Sequence, residues 1–300
     1  MFTFEAHPRG LNTFCMTFIP GDKPLLATVG IEGVRVWNLT TREVIQHLDI
    51  NDEDPSALTC SPDGRLLVLC QGKYPTMIRL WDWAKNRVVK EIDGGYQVQC
   101  AIFSPDGKSL AIGGYRAGRP VIDYSVRRLR VASWQPQWLL RGHTDQTGFL
   151  TYSPDNTLLA SAAADKRAIL WDLKKREAVV SVKHQTVAWG VAFSGDGSLL
   201  ASTGGKTIKL VDTVKRKELR GQLRGHSRDV RGIAFAPDGQ TLVSVAQDGT
   251  VRWWDVGTRK SSRVLDWGLG PLHCIGFSSD GTLGAAGSAA GHIVVWDVDE

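Results

Sequence analysis

The sequence has few cysteines and no long hydrophobic run, and each shortage excludes a class of protein. Its 300 residues include five cysteines, an odd number without any Cys-x-x-Cys pair, which argues against a closed disulfide framework and a zinc knuckle. No apolar stretch approaches the roughly 18 residues of a membrane span, and the N-terminus lacks the regions of a signal peptide. We therefore expect a cytoplasmic protein with no membrane span and with reduced, mostly buried thiols.

Signatures of cofactor and metal binding are also scarce. There is no Gly-x-Gly-x-x-Gly or His-x-x-x-His spacing, so the sequence predicts no cofactor and no metal site. The stretch 204–207 resembles the end of a phosphate-binding loop. However, Leu200 stands where the first glycine is required, and no helix follows, so we interpret this stretch as a hairpin turn. The formal charge of +5 and the pI near 9.0 permit an anionic partner without requiring one.

What the sequence does have is a repeat with a period of about 42 residues. A Ser-Pro-Asp-Gly turn, in more or less altered form, occurs seven times and begins at Ile19, Ser61, Ser104, Ser153, Ser194, Ala236 and Ser278. An apolar residue, usually Phe, stands just before each turn. A second marker, Trp-Asp or a close variant, begins at Trp37, Trp81, Trp171, Val211, Trp254 and Trp296. Short β-branched runs between Pro, Gly, Asp and Asn turns predict about four strands in each unit.

Four strands per unit, with Trp-Asp closing the third, are typical of a β-propeller blade. These residues resemble WD40 repeats, and the resemblance covers essentially the whole chain. It implies an all-β, seven-bladed propeller of four-stranded antiparallel blades. The seventh unit stops after Trp296-Asp297, and we expect Phe2–Glu5 to supply its missing strand and close the ring. The expected organisation is a single propeller domain over residues 1–300, monomeric, with no room for another domain.

The third unit departs from the pattern, because it is longer than the others and has no Trp-Asp. One alignment places Ile122-Asp123 at the end of the third strand. The other matches residues 129–134 to residues 78–83 and makes 115–127 a loop before that strand. We favour the second alignment, because Pro120 cannot donate to a central ladder.

Two sets of polar residues fall where the WD40 resemblance implies a structural hydrogen-bond network. They are His143, Ser161, Asp165 and Trp171 in one unit, and His226, Ser244, Asp248 and Trp254 in another. A Ser, His and Asp could suggest a hydrolase triad. Two copies in register with the repeat argue for a structural role instead. The fifth unit keeps His184 and Ser202 but has Val211, so we expect its network to be incomplete.

The repeated Phe position is nearly uniform, as core packing demands, but a position four residues earlier varies in chemistry, so packing does not dictate its residue. Four residues before the repeated Phe stand Phe14, Ser56, Gln99, Gly148, Trp189, Arg231 and His273. This position begins each inner strand, where the strands converge at the mouth of the channel. The resemblance implies a rigid, non-catalytic platform, and an aromatic beside an Arg is common in protein-binding hot spots. We therefore predict a scaffold that binds a protein or peptide through Phe14, Gln99, Trp189, Arg231 and His273, with burial of the aromatics inside the ring as the alternative.

Basic residues just after the Trp-Asp position suggest another partner. The basic rim consists of Lys174, Lys175, Arg176, Lys215, Arg216, Lys217, Arg259 and Lys260. It could attract phosphate-bearing partners, either nucleic acid or anionic lipid, but simple solvation of exposed turns is the favoured interpretation because no aromatics are interleaved. An enzyme on a propeller scaffold is the remaining alternative, disfavoured because the repeat already accounts for the titratable groups that converge.

Overall fold

The computed structural model describes residues 1–7, 15–50, 55–72, 75–116 and 122–299. Strand β1 (Phe2–Glu5) comes first. Blade 1 contains β2 (Cys15–Ile19), β3 (Leu25–Gly30), β4 (Gly33–Asn38) and β5 (Glu43–Leu48). Blade 2 contains β6 (Pro55–Cys60), β7 (Leu66–Gln71), β8 (Met77–Asp82), a 3-10 turn (Trp83–Lys85) and β9 (Arg87–Asp93). Blade 3 contains β10 (Gln97–Phe103), β11 (Ser109–Tyr115), β12 (Val126–Arg130) and β13 (Gln135–Leu140).

The remaining blades follow the same order. Blade 4 contains β14 (Thr147–Tyr152), β15 (Leu158–Ala163), β16 (Arg167–Asp172) and β17 (Glu177–Lys183). Blade 5 contains β18 (Gly190–Phe193), β19 (Leu199–Gly204), β20 (Thr207–Asp212), β21 (Lys217–Glu218) and β22 (Leu223–Arg224). Blade 6 contains β23 (Val230–Phe235), β24 (Thr241–Ala246), β25 (Thr250–Asp255) and β26 (Lys260–Asp266). Blade 7 contains β27 (Leu272–Phe277), β28 (Leu283–Ser288) and β29 (His292–Asp297). No helix in these segments has the length and apolar character needed to cross a bilayer.

The seven antiparallel blades form a ring that the two chain ends close. The inner strands contact one another in the cyclic order β2, β6, β10, β14, β18, β23, β27 and back to β2. Strand β1 pairs with β29, with Phe2 opposite Val295 and Glu5 opposite His292. This pairing completes blade 7 and confirms both the seven-bladed propeller and the expected role of Phe2–Glu5.

The Ser-Pro-Asp-Gly turn recurs because its Ser, Asp and Gly each satisfy a local requirement. In blade 2 the Ser61 hydroxyl donates to the Asp63 carboxylate at 2.5 Å and accepts from the Leu66 amide at 2.9 Å. Gly64 adopts a φ of 70°, which is left-handed backbone that glycine enters without steric cost. In blade 4 Asn156 takes this place with a φ of 59°, as expected of the residue that best replaces glycine there.

The Asp of Trp-Asp caps the turn between the third and fourth strands. In blade 4 the Asp172 carboxylate accepts from the Lys175 amide at 3.0 Å, and the turn ends on Arg176 at a φ of 60°. The Leu173 amide then donates to the Thr157 carbonyl beside the first turn. Both kinds of turn therefore lie on one face of the ring, which we call the turn face. The opposite face, where the inner strands begin, is the mouth face.

The apolar core is distributed between the blades. Seven clusters of buried side chains each span two neighbouring blades, so every blade buries both faces against its neighbours. Trp81, Trp171 and Trp254, the Trp-Asp tryptophans of three blades, are each 1% exposed. This uniform burial explains why the apolar markers repeat so regularly.

The favoured alignment of blade 3 was wrong by three residues. Leu110 pairs with Leu129 as Leu159 pairs with Trp171, so Leu129 holds the tryptophan position and Arg130 the Asp position. Trp134 lies in the following turn at a φ of 58°. The extra residues do precede the third strand, where an Arg116–Asp123 bridge continues the ladder on the mouth face. Residues 117–121, including Pro120, lie outside the described residues.

Blade 5 has a divided outer strand. Strands β21 and β22 both pair with β20, separated by Gly221 at a φ of 87°. A positive φ at this point interrupts the extended backbone. The blade therefore differs from a simple four-stranded sheet, and it is the blade in which Val211 replaces tryptophan.

Closure of the ring gives the first prediction. The Phe4 ring lies 4.5 Å from the Trp37 ring and packs in the cluster between blades 7 and 1. Phe4→Ala removes this half-buried ring and is expected to lower the free energy of unfolding by about 2 kcal/mol in urea denaturation. Thr3→Ala, at an exposed position of the same strand, is the control and should change it by less than about 0.5 kcal/mol. Equal effects of the two variants would contradict a closing role for β1.

Candidate functional site at the channel mouth

The variable position at the start of the inner strands coincides with a β-bulge in five blades. The ladders of β6, β10, β14, β23 and β27 shift register at Ser56, Gln99, Gly148, Arg231 and His273. A bulged residue is left out of the pairing, so the neighbouring strand does not dictate its side chain. In blade 5 the strand begins one residue after Trp189. The bulge therefore gives a physical reason for the variation along this position.

Three of the five predicted contact residues line one cavity of about 380 Å³ on the mouth face. Trp189, Arg231 and His273 come from consecutive blades, and Phe149 of blade 4 completes the wall. Gln99 belongs to blade 3 and does not line this cavity, so the structure separates it from the other three. Phe14 lies outside the described residues.

The wall of the cavity is built around a stacked pair. The Arg231 guanidinium carbon lies 3.8 Å from the centre of the Trp189 ring, in cation–π geometry. With the Gln247 amide turned so that its oxygen faces Arg231, that oxygen accepts from Nε at 3.2 Å and from Nη2 at 2.6 Å. The Phe149 ring meets Trp189 edge to face at 6.5 Å. Arg231 is thus fixed in place while most of its N–H donors stay available.

Charge and polarity in the cavity are set by burial. Burial lowers the pKa of His273, and the neighbouring Arg231 cation lowers it further, so the imidazole is neutral at pH 7 and offers one donor and one acceptor. Burial raises the pKa of the Cys15 and Cys274 thiols, which belong to the apolar part of the lining. An aromatic surface, one fixed cation and a neutral imidazole suit recognition of a partner's side chain.

Comparison with known proteins identifies the repeat. The family model described as WD domain, G-beta repeat, matches residues 134–172, 177–212, 217–255 and 262–297, which together make up half of the chain. The chain belongs to the WD40-repeat family. The matched segments run from the outer strand of blade 3 to the third strand of blade 7, and the Trp-Asp marker or its Val-Asp variant occurs in each of blades 4 to 7.

Several curated relatives are similar over most of the chain. Periodic tryptophan protein 2 of Arabidopsis thaliana is 28% identical over 245 residues, which are 80% of this chain and 25% of that protein. A guanine nucleotide-binding protein subunit beta of Oryza sativa subsp. japonica is 25% identical over 312 residues, covering 98% of this chain and 76% of the relative. A subunit beta-1 of Nicotiana tabacum is 26% identical over 270 residues, covering 84% and 68%. The WD40 chain thus spans about a quarter of the first relative and larger shares of the other two.

The residues of the two predicted networks contact one another as sets. In blade 4 the His143 Nε2 lies 2.7 Å from the Ser161 hydroxyl, its Nδ1 lies 2.8 Å from Asp165, and the Trp171 indole donates to Ser161 at 2.7 Å. His226, Ser244, Asp248 and Trp254 repeat these contacts at 2.7, 3.0 and 2.8 Å. Hydrogen bonds to His143, Thr144 and Arg167 outweigh burial and hold the pKa of Asp165 at about 2. Both serines are fully buried, so neither hydroxyl is presented to a substrate.

Blade 1 contains a related network that the sequence analysis missed. His7 Nε2 lies 3.1 Å from the Thr28 hydroxyl, which also accepts from the Trp37 indole at 3.0 Å. Threonine replaces serine here, and Ala6-His7 replaces the Gly-His of blades 4 and 6. The sequence signal for this network was His7, which stands at the point of the repeat that His143 and His226 occupy in blades 4 and 6.

The incomplete network of blade 5 leaves a buried nitrogen unsatisfied. His184 Nε2 contacts the Ser202 hydroxyl at 3.0 Å, whereas its Nδ1 is buried with no hydrogen-bond partner in the described parts of the chain. Burial, assisted by Lys209, lowers the pKa of His184 to about 4. This histidine is therefore neutral in the folded protein at pH 7.

The basic rim lies on the turn face, and part of its charge is paired. Lys215 contacts Asp212 at 3.2 Å, Arg216 contacts Asp172 of the preceding blade at 2.9 Å, and Lys175 lies 3.6 Å from Glu177. Arg176, Arg216 and Arg259 adopt left-handed backbone at equivalent turns. The rim is thus a set of separate turns whose cations partly satisfy nearby carboxylates, on the face opposite the cavity.

The buried histidine of blade 5 gives the second prediction. The pKa of His184 is about 4 in the folded protein, against a usual value of about 6.5. Between these pH values His184 is protonated in the unfolded chain but neutral in the folded protein. Protonation of the unfolded chain at His184 therefore leaves the free energy of unfolding unchanged above pH 6.5 and lowers it as the pH falls toward 4. His184→Gln is therefore expected to reduce the loss of unfolding free energy between pH 7.5 and pH 5 by about 2 kcal/mol.

The measurement is urea denaturation at both pH values. His47→Gln, at an exposed position of the outer strand of blade 1, is the matched control. An equal change of pH dependence in both variants would contradict the assignment to His184.

Proposed function

We propose that this protein is a non-catalytic scaffold that binds a protein or peptide partner at the channel mouth. The observation that carries the proposal is the stacked Trp189–Arg231 pair in the wall of an open cavity. Trp, Tyr and Arg are enriched among the residues that contribute most to protein binding. Trp offers a large rigid surface at a small cost in conformational entropy, and stacking on Trp189 restricts the otherwise flexible Arg231 side chain.

The polar groups of the cavity specify what the partner presents. The Arg231 guanidinium has five N–H donors, and the Gln247 oxygen engages two of its nitrogens. A partner carboxylate or backbone carbonyl can accept from the remaining donors while an apolar side chain packs on Phe149 and Trp189. A volume of about 380 Å³ accommodates one or two side chains, which favours an inserted loop or peptide segment over a flat contact.

Similarity to other WD40 proteins supports a role in assembly. The rice and tobacco relatives are named as subunits of a guanine nucleotide-binding protein, and a subunit is by definition part of a complex. This supports binding of a protein partner in general. The choice of the mouth face rests on the cavity.

The basic rim is the second candidate, with a nucleic acid or an anionic lipid as the partner. Its support is weaker, because Lys215 and Arg216 already contact carboxylates. Binding through the rim would fall steeply as salt rises and would be sensitive to charge reversal at Lys174, Lys175 and Lys215. Binding at the mouth depends mainly on packing and is expected to vary little with salt.

The test compares what wild-type protein and variants capture. We expect a partner recovered by affinity capture and mass spectrometry to bind Trp189→Ala and Arg231→Ala about tenfold more weakly or worse at constant salt, since each change removes half of the stacked pair. Arg228→Ala removes one positive charge three residues from Arg231, at an exposed position outside the cavity lining, and should bind like wild type. The affinity of the purified partner is then measured by calorimetry for each variant.

Three results would contradict the proposal. The first is unchanged affinity in Trp189→Ala and Arg231→Ala with loss on charge reversal of the rim, which would favour the rim. The second is equal loss in Arg228→Ala, which would indicate a nonspecific effect of charge. The third is a catalytic activity of the purified protein that a single substitution abolishes.

A further inference from the structure

Blade 3 places two arginines where the other six blades place different chemistry. Arg128 pairs with Ala111 in the ladder, and its equivalents are Val36, Leu80, Leu170, Leu210, Trp253 and Val295. Arg130 holds the capping position, and its equivalents are Asn38, Asp82, Asp172, Asp212, Asp255 and Asp297. Neither substitution follows from the requirements of the fold, because six blades form without it.

The two arginines face a groove between blades 3 and 4. Adjoining cavities of about 480 and 520 Å³ share Arg128, Arg130 and Gln137 in their walls. Arg176, from the turn of blade 4, lines one cavity, and Lys108 lines the other. Four basic side chains thus surround one groove, which we call the blade 3–4 groove.

Little in the described structure neutralises this charge. Neither Arg128 nor Arg176 forms an ion pair within the described residues, and Asp172, which begins the turn that contains Arg176, contacts Arg216 instead. Asp106 is the one carboxylate among the described lining residues; it accepts hydrogen bonds from Ser104 and Lys108 of its own turn and also interacts electrostatically with Arg128. One carboxylate faces four cations. The groove therefore keeps a net positive charge.

One buried donor in the groove lacks an acceptor. The Nε of Arg128 is shielded from solvent and has no hydrogen-bond partner among the residues described. Its guanidinium carbon lies 5.2 Å from the centre of the Trp138 ring. Because this nitrogen is shielded from solvent and Arg128 also interacts with the Tyr152 hydroxyl, a ligand in the groove would meet the rest of the guanidinium, which lines both cavities.

We propose that the blade 3–4 groove binds a phosphorylated segment of a partner polypeptide. The guanidinium groups of Arg128, Arg130 and Arg176 can donate charge-assisted hydrogen bonds to the oxygens of a phosphate. With its amide oxygen turned toward Arg130, Gln137 accepts from Nε and Nη2 of that side chain and holds it in the wall of the groove. Trp138 and Pro136 provide an apolar wall for the residues beside the phosphate. This site is separate from the channel mouth and does not depend on the function proposed there.

Two features favour a peptide over a nucleic acid or a membrane. The groove is one concave site rather than a line of cations, whereas a nucleic acid needs cations spaced along its backbone. The groove also opens beside β13, the outermost strand of blade 3, which has no further partner strand in the described sheet. An extended peptide can pair with such an edge while its phosphate lies among the arginines.

The test uses fluorescein-labelled peptide libraries with a fixed central phosphothreonine and random flanking residues. Libraries with threonine or glutamate at the centre are the controls, and binding is measured by fluorescence anisotropy. We expect the phosphothreonine library to bind at least tenfold more tightly than either control. Inorganic phosphate should compete only weakly, because it lacks the flanking residues.

The site can be tested, with little risk to folding, by variants that restore the residues common to the other blades. Arg128→Leu and Arg130→Asp introduce residues that other blades hold at these positions. Each is expected to weaken phosphopeptide binding about tenfold or more, because each removes a charge-assisted contact. Lys174→Glu reverses an exposed charge two residues from Arg176, outside the groove lining, and should leave the affinity within about twofold.

Each outcome decides the proposal. Selective binding that Arg128→Leu and Arg130→Asp abolish, with unchanged melting temperatures, supports it. Equal binding of the threonine library, equal loss in Lys174→Glu, or no binding at about 1 mM peptide would overturn it. Trp189→Ala should leave phosphopeptide binding unchanged, so failure here and failure of the channel-mouth proposal are distinguishable.

Discussion

The structure depends on one constraint, namely that a blade cannot bury its own side chains. Each four-stranded sheet has two apolar faces and covers them only against its neighbours. An open row of seven blades would leave two of these faces in water, so the pairing of β1 with β29 stabilises more than blade 7. Because the ring is closed, each inner strand has a fixed neighbour on both sides, and the geometry of the mouth follows from that closure.

The parts of the fold that sequence predicted are those held by local interactions. The Ser61 hydroxyl and the Asp63 carboxylate must lie two residues apart to close their turn, and Asp172 must precede Lys175 by three residues to cap its own. Such requirements repeat wherever the turn repeats, so the period was visible. The register of blade 3 was not, because Leu129 fills the tryptophan position with a residue common throughout the chain, and only its pairing with Leu110 identifies it.

The sequence could predict which residues lie at the channel mouth, but not which of them come together to form one site. The variation between blades indicated where packing does not dictate the residue, and the bulges at Arg231 and His273 give the physical reason. That Trp189 stacks on Arg231 while Gln99 lies apart depends on which blades adjoin and on how the ring curves. Neither is encoded within one repeat. The Thr28 network was missed for a related reason, since a different hydroxyl residue performs the role of Ser161.

The repeat itself separates what the scaffold needs from what it tolerates. Chemistry that the other six blades share is accounted for by packing or by capping of a turn, whereas Arg128 and Arg130 depart from a pattern that folds without them. The blade 3–4 groove reaches the turn face through Lys108 and Arg176, and the Trp189 cavity lies on the mouth face. Strands of six residues span roughly 20 Å between the two faces. Ligands at the two sites would therefore share no wall, and a rigid closed ring can hold both at once without a conformational change.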